Sequence, residues 1–135
     1  MKANSIFINL PIYDLIKTKD FWLKLGFSFN KQFSDDKALC LILNDGIIYS
    51  MLITREYFST FTNKTIFDGS STQVILAIQV ESREQVDHIV NRALENGATR
   101  YKESVDQGWM YYDSFTDLDG HQWEVLFTDL SQIHQ

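Results

Sequence analysis

Apolar residues along this chain change their period several times, and the changes mark out the elements. Residues 6–12 form a short apolar run that ends on Pro11, where a missing backbone donor is tolerated, and read as a strand. Leu15, Thr18, Trp22 and Leu25 then recur at helical spacing, with Phe21 beside them. Asp14 is suited to cap that helix at its start, and Gly26 to close it. Shorter apolar runs at 28–33, 37–43 and 47–54 read as three further strands. Asn44-Asp45-Gly46 marks a hairpin between the last two. Residues 55–61 fit a short helix, and the polar stretch 62–72 fits a linker.

The pattern then restarts. Residues 73–80 read as a strand, and Ser82-Arg83-Glu84-Gln85 matches a capping box. The helix it opens carries Val86, Ile89, Val90, Ala93 and Leu94 at helical spacing, and Gly97 ends it. Strands are expected at 99–105, 109–115 and 121–128, with Asp119-Gly120 turning into the last. Each half thus reads strand, helix, three strands. The expected class is α+β, built from two βαβββ modules: residues 1–61 with the short helix, a linker at 62–72, and residues 73–135. One face of each four-stranded sheet is buried by its own helix, and the other needs a partner.

Period-two alternation singles out one acidic residue. In the last strand, His121, Trp123, Val125 and Phe127 share one side, which makes a good core face. Gln122, Glu124 and Leu126 share the other, so Glu124 faces away from the core. It is read either as an anchor for a cation or hydrogen-bond donor, as a general base, or as a carboxylate paired with a neighbouring Lys, Arg or Tyr. Trp109-Met110-Tyr111-Tyr112 is an aromatic cluster with two parities: Trp109, Tyr111 and Asp113, or Met110, Tyr112 and Ser114. One parity belongs to the core, and the other would line an apolar site with a polar rim.

Composition narrows the function classes. The 135 residues are 44% hydrophobic and 14% aromatic, enough for a packed interior. The net charge of −6 argues against nucleic acid, whose phosphates need Lys and Arg. The single cysteine, Cys40, sits in an apolar run and reads as a buried, unreactive thiol. No apolar stretch approaches a membrane span, and the N-terminus does not read as a signal peptide, so the expected compartment is the cytoplasm. There is no Gly-rich phosphate loop and no nucleophile elbow. His121 reads as structural or exposed, His88 as a surface residue and His134 as part of the tail. No two histidines have metal-ligand spacing.

Three segments together resemble the vicinal oxygen chelate superfamily of glyoxalase I, extradiol dioxygenases, and bleomycin and fosfomycin resistance proteins. They are Phe7 to Leu15 leading to Phe21-Trp22 and Leu25-Gly26-Phe27, the restart at Val74 to Val80, and Asp117-Leu118-Asp119-Gly120-His121-Gln122-Trp123-Glu124. The resemblance implies two modules whose sheets curve around one cleft, often completed by a homodimer. In the metalloenzymes of the superfamily, four cleft positions hold a divalent ion, usually with His or Glu. Carried over by motif, these fall on Phe7, Ser50, Ile75 and Glu124, and only Glu124 is a metal ligand by chemistry. A shift by one residue reaches Tyr49 or Met51 and does not supply the missing donors.

The expectation is therefore a protein without a cofactor that binds a small, aromatic or cationic molecule. Phe7, Asn9, Ser50, Ile75, Gln79, Met110, Tyr112 and Glu124 are the candidate contacts. The alternative implied by the resemblance is a divalent-metal lyase, isomerase or dioxygenase. A metal-free acid–base enzyme using Glu124 with Tyr111 or Tyr112 is a third reading. Whether the chain is an enzyme is left open by the sequence.

Overall fold

The computed structural model describes residues 1–133; His134 lies outside them. Contacts divide the chain into two compact units, Met1–Phe67 and the residues from Asp68 onward. The boundary falls inside the stretch read as a linker. That stretch is tied down on both sides. Arg55 donates from Nη1 to the Phe67 carbonyl at 2.6 Å, and Asp68 Oδ1 accepts from the backbone N–H of Ser70 at 2.9 Å.

The first unit runs β1 (Ile6–Ile12), α1 (Leu15–Leu25), β2 (Ser28–Asn30), β3 (Ala38–Asn44), β4 (Ile48–Thr54) and α2 (Arg55–Phe58). Its sheet has the order β1-β4-β3-β2, with β1 parallel to β4 and the other pairs antiparallel. Asp14 caps α1 by accepting from Lys17 N–H at 3.0 Å. Gly26 closes it at φ 105°, a conformation that glycine adopts without strain. Thr18, Phe21, Trp22 and Leu25 form the buried stripe of α1. The run read as a strand to residue 33 is shorter. The Asn30 side chain accepts from Gln32 N–H at 2.9 Å and turns residues Lys31–Phe33 into a 3₁₀ turn. The helix expected at 55–61 is one α-turn followed by a 3₁₀ turn at Ser59–Phe61.

The second unit runs β5 (Ile75–Gln79), α3 (Arg83–Glu95), β6 (Val105–Asp106), β7 (Met110–Thr116) and β8 (Gln122–Thr128). The sheet order is β5-β8-β7-β6, with β5 parallel to β8. The capping box forms: Gln85 N–H donates to Ser82 Oγ at 3.1 Å, and the Gln85 amide oxygen accepts from Glu81 N–H at 3.1 Å. The strand expected at 99–105 is mostly absent. A single bridge at Thr99–Thr116 and the two-residue β6 replace it. This segment alternates Arg100, Lys102 and Ser104 with Tyr101 and Glu103, and it offers too little apolar surface to hold a full strand on a sheet edge.

The core of the second unit lies between α3 and one face of the sheet. Val86, Ile89, Val90 and Ala93 from the helix meet the face that carries Phe115, Trp123 and Val125, all three buried. Asp113 is on the same side, 5% exposed, and Arg100 holds it through Nη2 at 2.7 Å and Nε at 3.1 Å. The same contact keeps the Arg100 guanidinium above its usual proton affinity.

Candidate functional site

Strand pairing decides which residues can meet a ligand. In the second sheet, Ile75 pairs with Gln122 and Ala77 with Glu124. Ser114 pairs with Glu124, Tyr112 with Leu126 and Met110 with Thr128. Directly paired residues lie on the same face. One face therefore holds Ile75, Ala77, Gln79, Met110, Tyr112, Ser114 and Glu124. Along β5 the exposed residues are Ile75, Ala77 and Gln79, while Leu76 and Ile78 between them are half-buried. The structure thus settles the parity of the aromatic cluster. Tyr111 belongs to the helix side, where its hydroxyl donates to the Asp87 carboxylate of α3. That bond, followed by burial, pushes the Tyr111 hydroxyl up to about 12. His121 is buried on the same side as Trp123, and His88 is exposed.

Asp117 positions the strand that carries Glu124. Its Oδ1 accepts from Asp119 N–H at 2.9 Å and His121 N–H at 3.0 Å, and its Oδ2 accepts from Trp123 Nε1 at 2.9 Å. One carboxylate so fixes the turn and the first core side chain of β8. Burial pushes Asp117 above the usual carboxylate range, and the neighbouring His121 opposes it. Gly120 in this turn has φ 90°, and its Cα faces the backbone of Gly69 with no room for a side chain between them.

Around Glu124 the face is polar. Ser114 is 1% exposed, its hydroxyl buried against that of Tyr101. The Tyr101 hydroxyl lies beside it, 3.5 Å from the Trp123 carbonyl, at the long limit for a hydrogen bond. Burial raises the proton affinity of Tyr101 and the Glu124 charge adds to this, while the Ser114 hydroxyl opposes it. Lys102 donates from Nζ to the Tyr112 hydroxyl at 2.7 Å and lies 5.0 Å from the centre of that ring. The Tyr112 contact, and more weakly Glu124, raises the proton affinity of the Lys102 amine. Sequence reasoning missed Tyr101 and Lys102. Read as a regular strand, their segment would send the two neighbours to opposite faces, whereas its irregular course brings both to this one.

In the first sheet, Phe7 pairs with Tyr49 and Asn9 with Met51. Phe7 is 52% exposed and stacks on Tyr49 with ring centres 4.7 Å apart. Ser50 is a correction. It pairs with Ile8, on the opposite side from Phe7 and Asn9, and is fully buried with Leu10, Ile12, Leu39, Leu41 and Leu52. Its hydroxyl donates to the Ile8 carbonyl at 2.9 Å. The cause is the turn: Asn44 pairs with Ile48, two residues past Gly46, whereas Asp117 bonds His121, one residue past Gly120. One extra residue turns the strand over. Met51 therefore takes the place on the Phe7 side that counting from the glycine assigned to Ser50.

The positions that the resemblance assigns to metal ligands would thus fall on Phe7 and Met51 in the first unit and on Ile75 and Glu124 in the second. Catalytic zinc sites use three protein ligands of N, O or S type. A phenyl ring, a thioether, a branched alkyl group and one carboxylate do not fit a divalent ion. Among the described residues, no group of three or more His, Cys, Asp or Glu is arranged to hold one. No helix among them is long and apolar enough to cross a membrane.

Comparison with known proteins agrees with this architecture. Solved structures with the same fold include a hypothetical protein from S. aureus, 28% identical, with TM-score 0.78 over 94% of this chain and 95% of that one. A glyoxalase/bleomycin resistance protein/dioxygenase family enzyme from Burkholderia phytofirmans PsJN is 18% identical, with TM-score 0.76 over 93% of this chain and 99% of that one. A bleomycin resistance determinant encoded on the transposon Tn5 is 17% identical, with TM-score 0.65 over 95% of this chain and 100% of that one. At such identities the last two likenesses are likenesses of fold. No curated protein matches the chain. The family model for glyoxalases, bleomycin resistance proteins and dioxygenases matches residues 6–125. That match runs from β1 into the middle of β8 and takes in the Asp-Gly turn and Glu124, so the chain belongs to the Glyoxalase/Bleomycin resistance protein/Dioxygenase superfamily.

Proposed function

We propose that this protein binds a small organic molecule without a metal ion, and that the Glu124 face of the second sheet is where it binds. The observation that carries the reading is the chemistry of the family's ligand positions: one carboxylate, with Phe7, Met51 and Ile75 in place of the other donors. Apolar side chains around a few polar groups are the usual lining of a small-molecule site. Ile75, Met110 and Tyr112 supply the apolar part, and Glu124 and Tyr101 the polar part. A bleomycin resistance determinant shares the fold, which is in keeping with a small organic ligand. Exposed Ile6 and Phe7 on edge strand β1, and Val74 and Ile75 at edge strand β5, support self-association into a homodimer. A single buried thiol suits a reducing cytoplasm.

A thermal-shift experiment tests the reading, because a ligand that binds only the folded state must raise the melting temperature. Zn²⁺, Ni²⁺ or Mn²⁺ should leave the melting temperature unchanged, EDTA should not lower it, and elemental analysis should find no stoichiometric metal. A panel of aromatic and cationic small molecules should include binders, and Glu124→Gln should weaken them. Stoichiometric metal with a chelator-sensitive melting temperature would refute the reading in favour of a metal-dependent lyase, isomerase or dioxygenase.

A further inference from the structure

We infer that the Glu124 face takes a zwitterion of the amino-acid type, with its ammonium on Glu124, its carboxylate on Lys102 and its side chain on the apolar part of the sheet. This deepens the reading of that face as a small-molecule site and rests on it. The first observation is Glu124 itself. It is half-buried on the sheet face, and among the described residues its side chain makes no hydrogen bond and no ion pair. A carboxylate partly withdrawn from water has lost hydration that nothing here replaces, so it favours a cation with N–H donors. A metal ion does not serve, because no further donors converge on the same point.

The second observation is a positive charge on the same face. Lys102 Nζ donates to the Tyr112 hydroxyl at 2.7 Å, and Tyr112 stands on the Glu124 side of β7. Tyr112 and Glu124 are diagonal neighbours across the β7–β8 pair, about 7–8 Å apart along the backbone. The phenol is a neutral partner, so it holds the ammonium in place and leaves its charge uncompensated. Two of the three N–H donors of Lys102 stay available. Glu124 is near enough to raise the proton affinity of the amine, yet the two groups form no ion pair. Opposite charges are thus held apart on one face, each without a charged partner. A plain cation would suit Glu124 and meet Lys102, and a plain anion would suit Lys102 and meet Glu124. A molecule that carries both charges suits both groups. Ile75, Met110 and Leu126 on the same face offer an apolar surface for its side chain.

The probes share one phenyl ring and differ in charge: phenylalanine, phenethylammonium without the carboxylate, hydrocinnamate without the ammonium, and phenethyl alcohol without either. Amide resonances of the full chain, followed by NMR through a titration to millimolar probe, report where and how tightly each binds. Phenylalanine should shift Ala77, Tyr112 and Glu124. It should bind about two- to fivefold more tightly than either singly charged probe, the range of one exposed ion pair. Lys102→Gln should weaken phenylalanine and hydrocinnamate by that factor and leave phenethylammonium no weaker. Glu124→Gln should weaken phenylalanine and phenethylammonium and leave hydrocinnamate no weaker. General damage to the fold does not produce this crossed pattern. Phenethylammonium or hydrocinnamate binding as tightly as phenylalanine, unchanged phenylalanine binding in Lys102→Gln, or uniform weakening of every probe in either variant would overturn the zwitterion inference and keep the small-molecule reading. If no probe perturbs that face, both fail.

Discussion

Individual residues here are held by very local causes. Gly120 and Gly46 both follow an aspartate and both have positive φ, at 90° and 83°. Their surroundings differ. A Cβ on Gly120 would lie 2.5 Å from Gly69 Cα and 2.8 Å from its carbonyl oxygen, while one on Gly46 meets nothing within 4 Å. Gly46→Ala should cost about 1 kcal/mol of backbone strain, and Gly120→Ala about 3 kcal/mol once the clash is added. Urea denaturation of the two variants side by side checks the difference; equal losses would contradict the close approach. Much at this scale was legible from the sequence. Alternation alone placed Glu124 away from the core and Trp123 within it. Met110 and Tyr112 needed the pairing with β8 to choose between two parities. Ser50 was misplaced because a count of residues from a glycine cannot see where that glycine sits in its turn, and Tyr101 and Lys102 were missed because irregular backbone has no period to read.

At the scale of elements, caps and apolar stripes carried the prediction well. Asp14, Ser82 and Gln85 bond as their types and spacing require, and both helices end near their glycines. Weak strands were less legible, since two or three residues of β2 or β6 leave no measurable alternation. The join between α3 and the β6–β7 hairpin is polar and was invisible beforehand. Arg83 of α3 grips Asp106 at 2.7 and 3.1 Å and the Gly108 carbonyl at 2.9 Å, and Tyr111 of β7 donates to Asp87. Tyr111 has a folded-state proton affinity raised from 10.0 to about 12. The folded state thus binds this proton more tightly than the unfolded chain does. Its contribution is complete below pH 10 and is lost as pH rises from there towards 12. Stability measured by urea titration should therefore fall across that window, and Tyr111→Phe should flatten the fall. An unchanged slope in the variant would show that the Asp87 contact does not hold α3 to the strand.

The molecule as a whole is two copies of one plan, and that repetition was the most legible feature of all, because a strand, a capped helix and a hairpin recur in order in each half. What the copies do not share is chemistry: the second sheet carries Glu124, Ser114 and Tyr112 on one face, and the first carries Phe7, Asn9 and Met51. With a net charge of −6, the chain should not shift double-stranded DNA in a gel at physiological salt, and a salt-sensitive shift would contradict the exclusion of nucleic acid. Leu43, a surplus residue in β3, has a consequence for how this hairpin can change. Ile42 and Asn44 on either side of it pair with adjacent residues of β4, so a chain lacking Leu43 would keep both pairings in a straightened ladder, with Ser50 and Leu52 still turned to the core. The face that β4 buries is thus set independently of the bulge, and the surplus residue can be dropped without driving Tyr49 or Met51 inward.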